Sequence, residues 1–235
     1  MLFNELGLSE ALLKAVSKQG YEKPSPIQEK VIPLILEQKD VLASAQTGTG
    51  KTAGFVLPML QILNQGQQLH KRPVRALILT PTRELAAQIF ENVKAYGTFM
   101  DMRATVIFGG VNQNPQVKAL RNGVDILVAT PGRLLDLHNQ KLLSLASVEI
   151  LVLDEADRML DMGFLRDIRR ILAVMPDKRQ NLLFSATFSK EIKNLAGGFM
   201  HQPVLVAATP ENTTVEKIIQ KVYRVDKGKK TALVI

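Results

Sequence analysis

Val41-Leu-Ala-Ser-Ala45 runs directly into Gln46-Thr-Gly-Thr-Gly-Lys-Thr52, and the reading of this stretch decides the rest. The first five residues are a short apolar run of the kind that forms a strand buried on both faces. The glycines after it let successive backbone N–H groups turn inward around an anion. The helix expected next aims the positive end of its dipole at the same point. Lys51 can then reach the β- and γ-phosphates of a nucleotide, and the Thr52 hydroxyl can hold Mg2+, which is the arrangement of a phosphate-binding loop. The strict pattern has Gly where this chain has Ala45, a departure that a negative φ accommodates. The competing reading is a glycine-rich strand-to-helix turn with a solvated lysine. Pro58, six residues beyond Thr52, is expected to bend or shorten the helix.

Similar apolar runs recur on both sides of this loop: Arg75–Thr80, Ala104–Phe108, Ile126–Thr130, Ile150–Asp154, Leu182–Ser185 and Val204–Ala207. Segments of helical length separate them, such as Arg83–Met100 and Phe164–Met175. Alternation of this kind implies an α/β fold with a mostly parallel central sheet and helices on both faces. Right-handed crossovers then bring every strand-to-helix loop to one edge of the sheet, where ligands bind. Before the first strand, Ser9–Gln19 reads as a capped helix ended by Gly20, and a second helix runs to about Glu37. After the last strand, Thr209–Thr214 reads as a loop.

A nucleotide site also needs a carboxylate at the end of a buried strand. Glu149-Ile-Leu-Val-Leu-Asp154-Glu155-Ala-Asp157 supplies one, with Asp154 placed for the ion's water shell and Glu155 for the attacking water. One hydroxyl and one carboxylate are enough for Mg2+, which keeps most of its waters. Taken alone, the three acids could equally be the favourable first turn of a helix.

Composition sets the outer limits. The 235 residues are 46% hydrophobic and 22% charged, which excludes a disordered chain. No cysteine is present, so disulfides, thiolate catalysis and cysteine-bound zinc are excluded. His70, His138 and His201 are scattered, without ligand spacing. No stretch reads as a membrane span or signal peptide, and a cytoplasmic protein is expected. The net charge of +8 suggests a polyanionic partner, but Lys217, Lys221, Arg224, Lys227, Lys229 and Lys230 against Asp226 supply +5 of it. With nine Phe, three Tyr and no Trp, binding directed at a nucleic-acid backbone is expected over base stacking.

At this point the sequence resembles the DEAD-box RNA helicases. Asp154-Glu-Ala-Asp157 spells the box that names them, and other motifs of the first domain follow in the family's order. Gly20-Tyr-Glu-Lys-Pro-Ser-Pro-Ile-Gln28 resembles the Q motif, with Phe3 seventeen residues before its start. Ala45–Thr52 resembles motif I, where Ala is usual at the first position. Pro81-Thr-Arg-Glu-Leu85 resembles motif Ia, Gly109-Gly110 the GG motif, Thr130-Pro-Gly-Arg133 motif Ib and Ser185-Ala-Thr187 motif III. With Arg158–Phe164 included, the pattern is most similar to the bacterial RhlE-like branch.

The resemblance implies a RecA-like P-loop NTPase fold, ATP and Mg2+ as ligands, and RNA as partner. It implies an RNA-dependent ATPase that unwinds short duplexes. By that resemblance Phe3, Tyr21, Lys23 and Gln28 contact adenine or frame its pocket, while Gln46, Thr47, Gly48, Thr49, Gly50, Lys51 and Thr52 hold the phosphates. Lys51, Asp154 and Glu155 are the catalytic set, with Thr52 and Asp154 toward the metal. Pro81, Thr82, Arg83, Gly109, Gly110, Thr130, Pro131, Gly132 and Arg133 take the RNA backbone, and Asp157, Ser185 and Thr187 couple the two sites. An amide can pair with both donor and acceptor of adenine, so Gln28 suits ATP over GTP. Without the resemblance, Phe3 reads as an anchor for the Ser9–Gln19 helix, and Ser185 as a strand end that caps a helix.

The expected organisation is a first domain made of residues 1–38 and 39–208, a basic linker at 209–230, and at 231–235 the start of a second RecA-like domain. The family's arginine-rich motif VI, His-Arg-x-Gly-Arg-x-x-Arg, does not occur. The 235 residues are therefore expected to belong to a longer helicase, to be monomeric, and to bind nucleotide while hydrolysing it slowly. Two rivals from other classes are a non-helicase P-loop enzyme, such as a kinase or transport ATPase, and a nucleic-acid-binding protein with a silent nucleotide site.

Overall fold

The computed structural model describes residues 1–46, 48–66 and 71–207. Thr47, His70, the Thr209–Thr214 loop, the expected linker and the expected second-domain start lie outside the described residues. The apolar runs form strands β1 (Val41–Ser44), β2 (Ala76–Leu79), β3 (Ala104–Ile107), β4 (Ile126–Ala129), β5 (Ile150–Leu153), β6 (Gln180–Ser185) and β7 (Val204–Ala207). All neighbouring pairs are parallel, in the order β3-β4-β2-β5-β6-β1-β7. The mostly parallel sheet expected from the sequence is thus parallel in every described pair.

Alternate residues of each strand enter different cores. Val41, Ala43, Ala76, Ile78, Val128, Val152 and Phe184 face one side, against helices α1 (Glu10–Lys18), α2 (Pro26–Leu36), α3 (Lys51–Gln65) and α4 (Arg83–Tyr96). Leu42, Leu77, Leu79, Leu127, Leu151, Leu153 and Leu183 face the other. That side is covered by α5 (Asn114–Arg121), α6 (Pro131–Asn139), α7 (Ala156–Asp161), α8 (Leu165–Leu172) and α9 (Lys190–Gly197). Burial on both faces explains why the strands lack polar alternation. Leu12, Val16, Ile27, Val31 and Ile32 of the two leading helices share the first core with the sheet.

Pro58 does not shorten its helix, because α3 runs unbroken from Lys51 to Gln65. The ring sits in a stretch, Ala53 to Gln61, whose residues are all buried. Packing around that stretch offsets the one backbone hydrogen bond that proline removes. Arg75 closes the far end of α3, donating from Nη1 to the Leu63 carbonyl at 2.9 Å while holding Glu149 from Nε at 2.6 Å.

Polar side chains lace the edge at which the strands begin. Asp40, just before β1, accepts from Asn181 N at 2.7 Å, Asn181 Nδ2 at 3.0 Å and His201 N at 2.7 Å. Asp125, before β4, accepts from Arg103 N at 2.8 Å and Arg72 Nη1 at 3.0 Å. Gln180, opening β6, donates to the carbonyls of Ile35 at 3.0 Å and Lys39 at 2.8 Å. Asp40→Ala leaves three donors without their acceptor, and each such orphan costs about 1–3 kcal/mol. We expect the urea midpoint to fall by an amount equivalent to about 3 kcal/mol or more, with nucleotide affinity unchanged. An unaltered midpoint would contradict this role for Asp40.

Candidate functional site

The opposite edge, where the strands end, gathers the residues singled out in the sequence. Its order follows the sheet: Phe108–Gly110 after β3, Thr130–Arg133 after β4, Thr80–Arg83 after β2, Asp154–Asp157 after β5, Ser185–Thr187 ending β6, and Ala45–Thr52 after β1. Residues assigned to phosphate, metal and catalysis therefore follow β1 and β5, with the coupling residues Ser185 and Thr187 between them at the end of β6. Those assigned to a nucleic-acid backbone occupy β3, β4 and β2.

In the phosphate loop Gly48 and Gly50 have φ of 80° and 86°, left-handed conformations that favour glycine, and Gly50 caps α3. Thr49 Oγ1 donates to the Gln46 carbonyl at 2.8 Å, tying the loop across its base. Lys51 is only 7% exposed, and no carboxylate lies within 4.0 Å of its ammonium among the described residues. A buried cation beside a glycine-lined loop at a helix N-terminus suits a bound phosphate. Among the described residues no three His, Asp or Glu side chains gather into a metal cage. Thr52, the second residue of α3, and Asp154, whose carboxyl feels the Lys51 charge, are oxygen donors of the kind that suit a hard cation keeping much of its water.

Asp154 is 2% exposed. Burial pushes its carboxyl up to about 6, Lys51 pulling it partly back down and Glu155 adding to the rise. Glu155 follows in a left-handed conformation at φ 53°, an uncommon choice for a residue with a Cβ. That turn lets α7 start at once after the strand, and Glu155 Oε2 accepts from Arg158 Nη1 at 3.2 Å. Asp157 Oδ2 accepts from the backbone N–H of Ala186 at 3.0 Å, joining the β5 and β6 loops. This joint is made to the main chain of Ser185–Thr187 and not to its hydroxyls: Ser185 Oγ is held locally, accepting from Thr187 N at 3.4 Å, and Thr187 is exposed. The cap of α9 is Ser189, whose hydroxyl accepts from Ile192 N, so Ser185 caps no helix.

Gln28 is buried and already engaged. Its Oε1 accepts from Ser25 N at 2.9 Å at the start of α2, and its Nε2 donates to the Gly50 carbonyl at 2.9 Å. The amide thus braces the phosphate loop from α2. Phe3 is 5% exposed and belongs to the core, with its ring stacked on Tyr21 at 6.4 Å between centroids. Tyr21 is the aromatic left open, at 42%, its hydroxyl 3.0 Å from that of Tyr96. Lys23 and Gln46 are exposed.

At the other end of the edge lies a groove of about 710 Å3. Pro81, Thr82, Arg83, Gly109, Gly110, Thr130, Gly132 and Arg133 line it, and Pro131 is buried beneath as the first residue of α6. Thr82 caps α4 by accepting from Leu85 N at 3.2 Å. The Arg83 guanidinium lies so close to Gly110 that a Cβ there would meet it at 2.9 Å. Arg133 donates from Nη2 to the Val111 carbonyl at 3.1 Å, while its buried Nη1 has no partner among the described residues. Met162, 49% exposed, and Phe164 form an apolar wall that sequence reasoning missed. The only available signal was their position directly after the acidic box.

A family model described as DEAD/DEAH box helicase matches residues 25–195. The DEAD-box ATP-dependent RNA helicase CshA of Streptococcus pneumoniae is 46% identical over 230 residues, covering 98% of this chain and 43% of that protein. The protein of the same name from Geobacillus kaustophilus is 44% identical over 228 residues, covering 97% and 48%. These relatives carry the name CshA, a different one from the RhlE-like branch expected above. The crystal structure of a DEAD box protein from Methanococcus jannaschii matches with a TM-score of 0.84 at 40% identity, covering 100% of this chain and 62% of that one. The chain spans less than half the length of these curated relatives.

Asp154 gives a pH prediction. Its folded pKa of about 6 lies above the ordinary 3.8, so the fold favours the neutral acid. Stability from this group is complete below pH 4 and lost as pH rises through about 6. At pH 7.5 without ligands, Asp154→Asn is expected to stabilise the chain by about 2 kcal/mol and to flatten the pH dependence between 4 and 6. The same variant should lose the added stability that Mg2+ and nucleotide confer on the parent. A drop in melting temperature without ligands would contradict the prediction.

Proposed function

The chain belongs to the DEAD/DEAH box helicase family, and we propose that it is the ATP- and RNA-binding part of an ATP-dependent RNA helicase. The observation that carries the reading is one sheet edge with two halves. The acidic box stands after β5 and the phosphate loop after β1, with the Ser185–Thr187 loop between them at β6; an arginine- and glycine-lined groove stands at β3, β4 and β2, and Asp157 bonds one loop of the first half to the next.

Bound ATP with Mg2+ supplies the phosphoanhydride and neutralises the charge that develops as it breaks. Lys51 faces the β- and γ-phosphates, and the N–H groups around Gly48 and Gly50 cradle them. Thr52 and Asp154 hold the ion. Glu155 orients a water and accepts its proton at a carboxylate oxygen. Gln28 reads the adenine edge by exchanging its Ser25 and Gly50 bonds for the base, and Tyr21 with Phe3 beneath it forms the apolar floor. In the groove, Arg83, Arg133 and the N–H groups of Gly109, Gly110 and Gly132 take RNA phosphates, with Thr82 and Thr130 offering hydroxyls. Backbone contacts of this type select no sequence. Coupling between the halves is assigned to Asp157 and the Ser185–Thr187 loop, joined at the Ala186 N–H.

Full turnover in this reading needs a second RecA-like domain closing over ATP and RNA, with an arginine finger worth roughly three to five decades of rate in related NTPases. The setting is cytoplasmic and the 235-residue chain monomeric.

The chain should therefore bind Mg2+-ATP and oligouridylate but hydrolyse slowly, and RNA-stimulated turnover on the order of 1 s−1 or faster would overturn this. Glu155→Gln should retain nucleotide affinity and abolish the residual hydrolysis. Because Gln28 braces the phosphate loop as well as reading the base, Gln28→Ala should weaken ATP by about tenfold and GTP by about twofold. Equal losses for both nucleotides would remove adenine reading from the account.

A further inference from the structure

The groove's outermost loop is held by a residue outside every motif. Gln116 sits on α5, eight positions after Phe108, with its side chain buried against the end of β3. Its Oε1 accepts from Phe108 N at 3.2 Å and its Nε2 donates to the Phe108 carbonyl at 3.1 Å. One side chain thus satisfies both backbone groups of one residue, as a neighbouring strand would. The place matters. β3 is one of the two edge strands of the described sheet, and its ladder with β4 stops at Ile107 opposite Ala129. Phe108 is the first residue beyond that ladder, and Gly109 and Gly110 come next.

We propose that Gln116 is a positioning residue for the nucleic-acid groove. By clamping Phe108 it fixes where the Gly109–Gly110 loop leaves the sheet, and so where that loop's N–H groups face a phosphate. The inference rests on the RNA reading of the groove. Two further contacts pin the loop downstream: the Arg83 guanidinium packs over Gly110, which has a φ of 76°, and Arg133 holds the Val111 carbonyl at 3.1 Å. The Gln116 clamp is the attachment at the sheet side. Without it, Phe108 has no ladder partner and the glycines after it have no side chains to restrain them. Gln116 is not among the residues lining the groove, so it acts on RNA only through Phe108–Gly110. Nothing in the sequence marks it, because an amide at one helical position reads as an ordinary surface residue.

The test compares the 235-residue chain with Gln116→Leu, which keeps bulk but makes neither bond, and Gln116→Glu, which keeps an acceptor and loses the donor. Affinity for a fluorescent decauridylate is measured with Mg2+-ADP affinity alongside, and amide exchange is followed at residues 108–111. Each variant should bind RNA about tenfold more weakly, with ADP affinity within twofold of the parent and faster exchange at Gly109 and Gly110. Unchanged RNA affinity in both variants overturns the clamp. Parallel loss of ADP and RNA binding in both also overturns it, since Gln116 would then serve the fold as a whole. A parent chain that binds ADP but no RNA instead removes the RNA reading on which the clamp depends.

Discussion

Parallel pairing is the constraint on which the rest depends. Once every strand runs the same way, every strand-to-helix loop emerges at one edge, and strand order alone decides which loops are neighbours. β5, β6 and β1 are adjacent in the sheet though far apart in the chain, so the acidic box, the Ser185 loop and the phosphate loop stand side by side. Strands are about 4.8 Å apart, close enough for Asp157 to reach the Ala186 N–H. The same rule puts Phe108–Gly110, Thr130–Arg133 and Thr80–Arg83 beside one another around a single groove.

The two edges carry different kinds of polar group. Where the strands begin, Asp40, Asp125, Arg75 and Gln180 hold bonds between elements. Where they end, several groups are held at a cost to the fold. The Asp154 carboxyl is pushed up by burial, Glu155 adopts a left-handed backbone, and Arg133 keeps a buried nitrogen without a partner among the described residues.

Most of the architecture was legible because burial on both faces writes itself as apolar runs. Val41–Ala45, Ala104–Phe108, Ile126–Thr130 and Ile150–Asp154 each lost one residue at the end, Arg75–Thr80 lost one at both ends, and β6 gained Gln180 and Asn181, polar residues whose buried partners are invisible in sequence. Pro58 did not shorten its helix because its local effect was outweighed by packing of the whole helix. In the candidate site, the positions of the glycines and of Asp154 followed from spacing. Phe3 took the place in the core that its reading as an anchor offered; contacts did not follow, since Gln28 bonded to Gly50 and Asp157 bonded to a main-chain N–H are outcomes of three-dimensional packing. Met162 and Phe164 show the same limit, since an apolar residue left exposed reads in sequence like one that is buried.

The central claim is that one edge holds two separate sites, nucleotide at β5, β6 and β1, and RNA at β3, β4 and β2. Amide hydrogen exchange of the 235-residue chain tests it most directly, with a non-hydrolysable ATP analogue plus Mg2+ and, separately, with oligouridylate. The account predicts that the analogue protects residues 48–52 and 154–157, while RNA protects 82–83, 109–111 and 130–133. Protection of the same loops by both ligands, or of neither set, would contradict it.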